Sequence, residues 1–114
     1  MKNIAVILAG CGTKDGSEIN ETVTLLLALD QHGLKYQCFA PDSNQYQVVN
    51  HVTGEVTNEE RNMMVEAARI VRGNILPMSE FNADNFDGLA IPGGVGVANN
   101  IFTYFIDGMQ MTVL

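Results

Sequence analysis

An unbroken apolar run from Ile4 to Leu8 ends at a glycine-rich loop, and that loop leads directly into an amphipathic segment. Continuous apolar runs are typical of parallel strands, because both faces of a parallel sheet are covered. The amphipathic segment is predicted to be a helix from about Ser17 to His32, since its apolar residues recur at helical spacing and Gly33 follows as a terminating residue. A strand, a glycine-rich loop and a helix in this order predict the start of an α/β fold.

The alternation of strand and helix continues along the chain. A second strand is predicted in LKYQCFAP, a small hairpin or an excursion in YQVVNHVTGEV, a short strand in NILPM and a third major strand in FDGLAIPGG. A second helix is predicted from about Asn58 to Arg72 and a third from about Val97 to Asp107. The first two helices begin beside pairs with capping-box spacing: Asp15 with Glu18, and Thr57 with Glu60.

This order predicts an α/β parallel-sheet sandwich with helices on both faces of the sheet. In such sheets the ligand crevice lies beyond the carboxyl ends of the strands. Two glycine-rich loops fall at strand ends, from Gly10 to Gly16 and from Gly93 to Gly96, and each leads into a helix. Their backbone N–H groups suit a phosphate, a carboxylate or a developing oxyanion. The alternative is that the glycines serve only the tight turns.

The charge and the cysteine content of the chain indicate which partners it can bind and in which cellular compartment it is expected. The 114-residue chain is 46% apolar and carries a formal net charge of -7, so it is predicted to be one globular domain. Its six basic residues are scattered, which argues against nucleic acid and anionic membrane as partners. Two cysteines, Cys11 and Cys38, are too few for a disulfide scaffold, so we expect a reducing compartment, the cytoplasm. No spacing typical of a metal site occurs, and no metal is expected.

Two other interpretations of the first loop are open. MKNIAVILAGC resembles a lipoprotein cleavage box, but secretory signals usually run about 15–30 residues and this one would end at Cys11. Gly10, Gly12 and Gly16 form GxGxxxG, one residue off the dinucleotide-binding spacing, with Asp42 near the place of a ribose-binding acid. A first β-strand followed by a tight turn explains the same residues.

Four stretches carry a resemblance to a known family: ILAGCGTKDGSEINE, CFAPD, VVNHVTGEVTNEERNMMVEAARIVRG and FDGLAIPGGVGVANN. From Lys2 to about Asn100 they resemble the ElbB-type isoprenoid-biosynthesis glyoxalases of the ThiJ/PfpI superfamily, in order and in spacing. The Asn-His-x-Thr-Gly-Glu run is particular to this branch. The resemblance implies the flavodoxin-like, class I glutamine amidotransferase-like fold, and it identifies residues 1–114 as the amino-terminal part of one such domain.

The resemblance also implies roles for a few residues. The family is expected to convert a small 2-oxoaldehyde, glyoxal or methylglyoxal, to a hydroxy acid without a cofactor. Glu18 matches a glutamate that hydrogen-bonds the catalytic thiol, with a helix-capping acid as its alternative. Gly93 and Gly94 match a turn that donates backbone N–H groups to an oxyanion. Cys11 matches a loop cysteine beside the crevice and not the nucleophile; a redox-sensitive thiol is its alternative.

The chain also departs from the family pattern. Val95 and Asn99 stand where the similar proteins usually have phenylalanine and lysine. The nucleophilic cysteine of the superfamily lies on a strand-to-helix elbow in the second half of the fold, and these 114 residues contain no such elbow. We therefore expect the fold to be incomplete and the chain to be inactive alone, so its status as an enzyme stays open. The alternative is a non-catalytic binding module that forms a homo-oligomer or associates with a full-length copy.

Overall fold

The computed structural model describes residues 2–101, which form a four-stranded parallel sheet with two α-helices packed on it. The strands are β1 (Asn3–Ile7), β2 (Lys35–Ala40), β3 (Ile75–Pro77) and β4 (Gly88–Ala90), and the helices are α1 (Ile19–Gln31) and α2 (Met63–Val71). Two short 3-10 turns, Met78–Glu80 and Ala83–Asn85, connect β3 to β4. A third helical segment occupies residues 95–101; the rest of the third predicted helix lies outside the described residues.

The strand order is β3-β2-β1-β4, and every pairing is parallel. The chain moves outward from β1 through β2 to β3 and then returns to the other side of β1. Two consecutive crossovers in one direction place α1 and α2 on the same face, because such connections are right-handed. The predicted parallel α/β fold class is confirmed. Its topological switch point lies between β1 and β4, where this fold class places ligands.

The two faces of the sheet are covered by different elements. On one face, α1 and α2 pack against the buried side chains of Val6, Leu8 and Cys38. On the other, the ring of Phe39 meets Phe81 and Phe86 edge to face, with ring centroids 5.3 and 5.5 Å apart. Both faces of the central strands are therefore buried, which explains why their sequences are continuously apolar.

Both predicted capping boxes are wrong. Glu18 caps α1 with its own carboxylate, while Asp15 turns away and accepts a hydrogen bond from Val49 N at 2.8 Å. The second helix begins at Met63, because Asn62 Oδ1 accepts from the N–H groups of the second and third helical residues at 2.9 Å. The preceding residues are held outside the helix by backbone bonds to the segment after β2, such as Gln45 N to the Arg61 carbonyl at 2.8 Å.

The chain between β2 and α2 makes an excursion above the carboxyl ends of the strands. Val49 and Val56 form a single antiparallel bridge, and the tip contains Gly54 with a φ of 82°. The predicted hairpin is therefore confirmed in a minimal form. Its first arm lies over the loop that follows β1, because Asp15 binds the backbone of Val49.

Candidate functional site

Two glycine-rich loops meet at the switch point of the sheet. We call residues 8–18, after β1, the first loop and residues 91–96, after β4, the second loop. Glu18 N donates to the Gly93 carbonyl at 2.7 Å, and Gly96 N donates to the Thr13 carbonyl at 3.2 Å. A Cβ atom at Gly94 or Gly96 would overlap the backbone of the first loop. These two glycines therefore permit the two loop backbones to pack closely, whether or not they also bind a ligand.

The structure brings together the three residues predicted to form the catalytic site. Glu18 lies at the start of α1, half-buried, and its backbone touches the Pro-Gly-Gly turn that contains Gly93 and Gly94. Its carboxylate accepts hydrogen bonds from Asn20 N at 2.5 Å and Glu21 N at 3.1 Å, so it serves as the helix cap. The catalytic role of Glu18 stays a prediction, whereas its structural role is to cap α1.

A second carboxylate, which the sequence analysis did not select, reaches the same turn. Glu21 Oε1 accepts a hydrogen bond from Gly93 N at 3.0 Å. Glu21 lies one helical turn after Glu18, and residues three apart share a helix face, so this spacing was the available signal. One of the two predicted oxyanion donors is thus occupied by a carboxylate. An incoming anion at this turn would have to displace the Glu21 carboxylate from Gly93 N.

Neither cysteine is placed as an activated nucleophile. Cys38 lies in β2 with its side chain fully buried, and burial raises the pKa of its thiol to about 11. Cys11 lies half-buried in the first loop. Burial raises the pKa of the Cys11 thiol, the Glu66 carboxylate raises it further, and the Arg69 guanidinium partly opposes both. Because the thiolate is the nucleophilic form, both thiols are poorly reactive near neutral pH.

A cavity of about 260 Å³ opens beside Cys11, between the first loop, the excursion after β2 and the first turns of α2. We call it the β1–β2 cavity, since it lies beyond the carboxyl ends of these two strands. Its polar lining includes Asp15, Gln45, His51, Arg61 and Glu66. No local sequence pattern predicts this cavity, because its lining comes from three separated segments of the chain.

A metal site needs grouped ligand side chains, and a membrane span needs a long apolar helix; residues 2–101 can be compared with both requirements. No three His, Cys, Asp or Glu side chains in this part of the chain are grouped so that they could hold a metal ion. None of its helices has the length and apolar character needed to cross a membrane.

Comparison with known proteins identifies the family. The ES1 protein homolog of rat is 40% identical over 111 residues, 96% of this chain and 42% of the relative. The human glutamine amidotransferase-like class 1 domain-containing protein 3 is 40% identical over 111 residues, covering 96% of this chain and 41% of that protein. A crystal structure of an isoprenoid biosynthesis protein with an amidotransferase-like domain from Ehrlichia chaffeensis superposes with a TM-score of 0.84 and 53% identity, over 86% of this chain and 47% of that one. The chain belongs to this glutamine amidotransferase-like family. No protein-family model matches it.

Membership of the glutamine amidotransferase-like family confirms the resemblance drawn from the four sequence stretches. The chain spans about two fifths of the length of these curated relatives, 41–42%. The expected cytoplasmic location is wrong by this comparison, since the rat, human and zebrafish relatives are all named as mitochondrial proteins. Free cysteines distinguish reducing from oxidising surroundings, but they do not distinguish one reducing compartment from another.

Proposed function

We propose that this chain forms part of a glyoxalase that converts glyoxal or methylglyoxal to the corresponding hydroxy acid without a cofactor. The observation that carries the proposal is the contact between the first turn of α1 and the Pro-Gly-Gly turn, where the Glu21 carboxylate lies 3.0 Å from Gly93 N. A carboxyl at this turn suits a reaction that moves a proton next to a developing oxyanion, which takes the Gly93 N–H once Glu21 has moved off it. The resemblance to the ElbB-type proteins supplies the substrate class.

The proposed reaction is balanced without an external oxidant. A thiolate adds to the aldehyde carbon of methylglyoxal and forms a hemithioacetal, whose oxyanion is met by backbone N–H groups. A carboxylate then takes the proton from that carbon, and the resulting acid returns a proton to the neighbouring carbon. The proton that the thiol lost at the start goes to the former ketone oxygen, which leaves a thioester of the hydroxy acid. Water hydrolyses the thioester, and the thiol is released. The aldehyde carbon is oxidised and the ketone carbon is reduced within one molecule.

We assign the thiol in this scheme to neither cysteine, since Cys38 is enclosed in β2 and Cys11 lies at the β1–β2 cavity, away from the Pro-Gly-Gly turn. We therefore propose that the 114-residue chain has no turnover alone and supplies the carboxyl and the turn to a complete fold. A non-catalytic role in association is the second candidate. It is favoured by the apolar side chains that α1 leaves about half exposed, Ile19, Val23 and Leu27.

The proposal is tested in a chimera in which this chain replaces the matched segment of the Ehrlichia chaffeensis protein. We expect the chimera and the parent protein to convert methylglyoxal, and the isolated chain not to do so. Glu18→Gln is expected to lower kcat by about 100-fold, the usual minimum for losing a general acid–base. Glu55→Gln, an exposed glutamate in the hairpin, is the matched control and should retain parent turnover.

Glu21→Gln distinguishes the two carboxyls. Loss of turnover with Glu21→Gln alone would move the proton transfer from Glu18 to Glu21 and leave the function in place. The proposed function would be contradicted if both variants kept the turnover of the unsubstituted chimera. It would also be contradicted if neither the chimera nor the Ehrlichia chaffeensis protein converted methylglyoxal.

A further inference from the structure

We propose that the β1–β2 cavity is a binding site for a small primary ammonium compound, separate from the crevice at the switch point. The cavity measures about 260 Å³, just below the range of about 300–1,000 Å³ for sites that hold drug-sized ligands. It therefore suits a metabolite of a few carbon atoms. Val48 and Val49 contribute apolar surface, and the remaining lining is polar.

Asp15 is the side chain that points to a ligand. Only 7% of its side chain is exposed, and one carboxylate oxygen, Oδ2, accepts from Val49 N at 2.8 Å. Within residues 2–101 the other oxygen, Oδ1, has no hydrogen-bond donor; His51 Nε2 is 3.9 Å away, beyond hydrogen-bond distance. Every fully enclosed side-chain polar atom of residues 2–101 has a hydrogen-bond partner. Because Oδ1 has none, it is not fully enclosed, and it is reached from the cavity that Asp15 lines. A buried carboxylate oxygen open to a cavity is a strong acceptor for a charged donor.

His51 does not supply that donor. Its Nε2 atom receives the backbone N–H of Lys14 at 3.2 Å, so Nε2 must carry the lone pair. Its Nδ1 atom faces the Val49 carbonyl at 3.0 Å and carries the proton. Both ring nitrogens of His51 are therefore engaged by backbone groups, so His51 donates no hydrogen bond to Asp15 Oδ1.

The charges of the remaining lining favour a cation. Three carboxylates, Asp15, Glu59 and Glu66, line the cavity together with the Arg61 guanidinium, and a second guanidinium, that of Arg69, lies 3.4 Å from Glu66, so carboxylates exceed guanidinium groups by one. The Arg61 guanidinium is already held by Glu59 at 2.8 Å and by Glu66 at 3.4 Å. Asp15 is the carboxylate that remains uncompensated. A ligand with an ammonium group supplies both the missing charge and the missing donor, whereas an anion would be repelled.

The test uses 2-hydroxyethylammonium as the probe and ethylene glycol as its neutral counterpart. Binding to the 114-residue chain is followed by saturation-transfer NMR, which does not require a monomer, and binding to the chimera is followed by chemical-shift titration. We expect saturable binding of the ammonium probe and at least tenfold weaker binding of the glycol. Asp15→Asn should weaken ammonium binding about tenfold or more, because an amide can keep the Val49 bond while it presents N–H groups to the cavity.

Matched variants separate a site from general charge attraction. Glu55→Gln removes one negative charge from the hairpin without touching the lining and should leave binding unchanged, while Glu66→Gln should weaken it. Circular dichroism establishes that each variant keeps the parent secondary structure, and Glu66→Gln serves as the test if Asp15→Asn does not fold. Three outcomes would overturn the proposal. The ammonium probe and the glycol would bind equally well, or Glu55→Gln would weaken binding as much as the lining variants do, or binding would not saturate at probe concentrations well above millimolar.

Discussion

The two thiols of the chain lie in surroundings that lower their reactivity to different degrees. Cys38 is enclosed within the sheet, where only 1% of its surface is exposed, and its pKa is raised to about 11. Cys11 is half-buried at the edge of the β1–β2 cavity, and carboxylates contribute to its raised pKa. Both effects disfavour the thiolate, so folding protects these cysteines from oxidation and alkylation.

This difference predicts an order of labelling. At pH 8 we expect iodoacetamide to modify Cys11 more slowly than free cysteine, and Cys38 more slowly again, since a pKa of about 11 leaves roughly one thiol in a thousand ionised. Raising the pH toward 11 should accelerate both reactions. Peptide mapping by mass spectrometry measures the two rates, with the denatured chain as the control that labels fully. Labelling of Cys38 at the rate of free cysteine would contradict its enclosure in the sheet.

At the scale of elements, a single side chain joins the third helical segment to two loops. Asn100 is buried, and its Nδ2 atom donates to the carbonyls of Ala9 at 3.0 Å and Asp15 at 2.9 Å. Its Oδ1 atom accepts from Tyr46 N at 2.8 Å. The helix, the first loop and the start of the excursion are thus held by one amide. This arrangement also fixes the backbone of Asp15, whose side chain faces the cavity.

Removing that amide should loosen all three segments. Asn100→Ala leaves two carbonyls and one N–H without partners, and each unmet group costs about 1–3 kcal/mol, so we expect the free energy of unfolding of the chimera to fall by about 3 kcal/mol. Asn99→Ala, at the neighbouring half-buried position, is the matched control and should change it by far less. Urea unfolding followed by circular dichroism measures both. Similar midpoints for the two variants would mean that the hydrogen bonds of Asn100 contribute little.

The molecule as a whole leaves apolar surface on the outside of α1. Ile19, Val23 and Leu27 recur every four residues and are 45%, 50% and 53% exposed. Leu89 in β4 is 59% exposed, and Ile91, just after that strand, is 50% exposed. Burying such surface contributes about 25 cal/mol per Å², so a second copy that covers the α1 stripe is favoured.

We therefore expect the isolated chain to self-associate. Its mass from light scattering after gel filtration should exceed that of a monomer and rise with concentration. Val23→Lys combined with Leu27→Lys should shift the chain toward the monomer, because a charge in a buried apolar contact is costly. Thr24→Lys, on the same helix but outside the stripe, should leave the association unchanged. A concentration-independent monomer in the parent chain would contradict this prediction.

Local sequence was sufficient to predict the order and type of the main elements and the parallel arrangement of the strands. The apolar run of β1 must be covered on both faces, Gly33 and Gly73 end helices with positive φ, and neither requirement depends on distant residues. The resemblance carried by the loop motifs was sufficient for the family. The placement of Glu18 beside Gly93 also followed, because strand ends of a parallel sheet meet at one edge.

Tertiary contacts decided which polar groups pair. Asp15 was expected to cap α1, and it binds Val49, 34 residues along the chain. Glu21 reaches Gly93 across 72 residues, and Asn100 reaches Asp15 across 85. A capping pattern describes only what a side chain can reach within one turn, whereas a folded chain offers it competing partners from other segments. The bond of Asp15 to Val49, the contact of Glu21 with Gly93 and the cavity therefore form only once the loops have packed together.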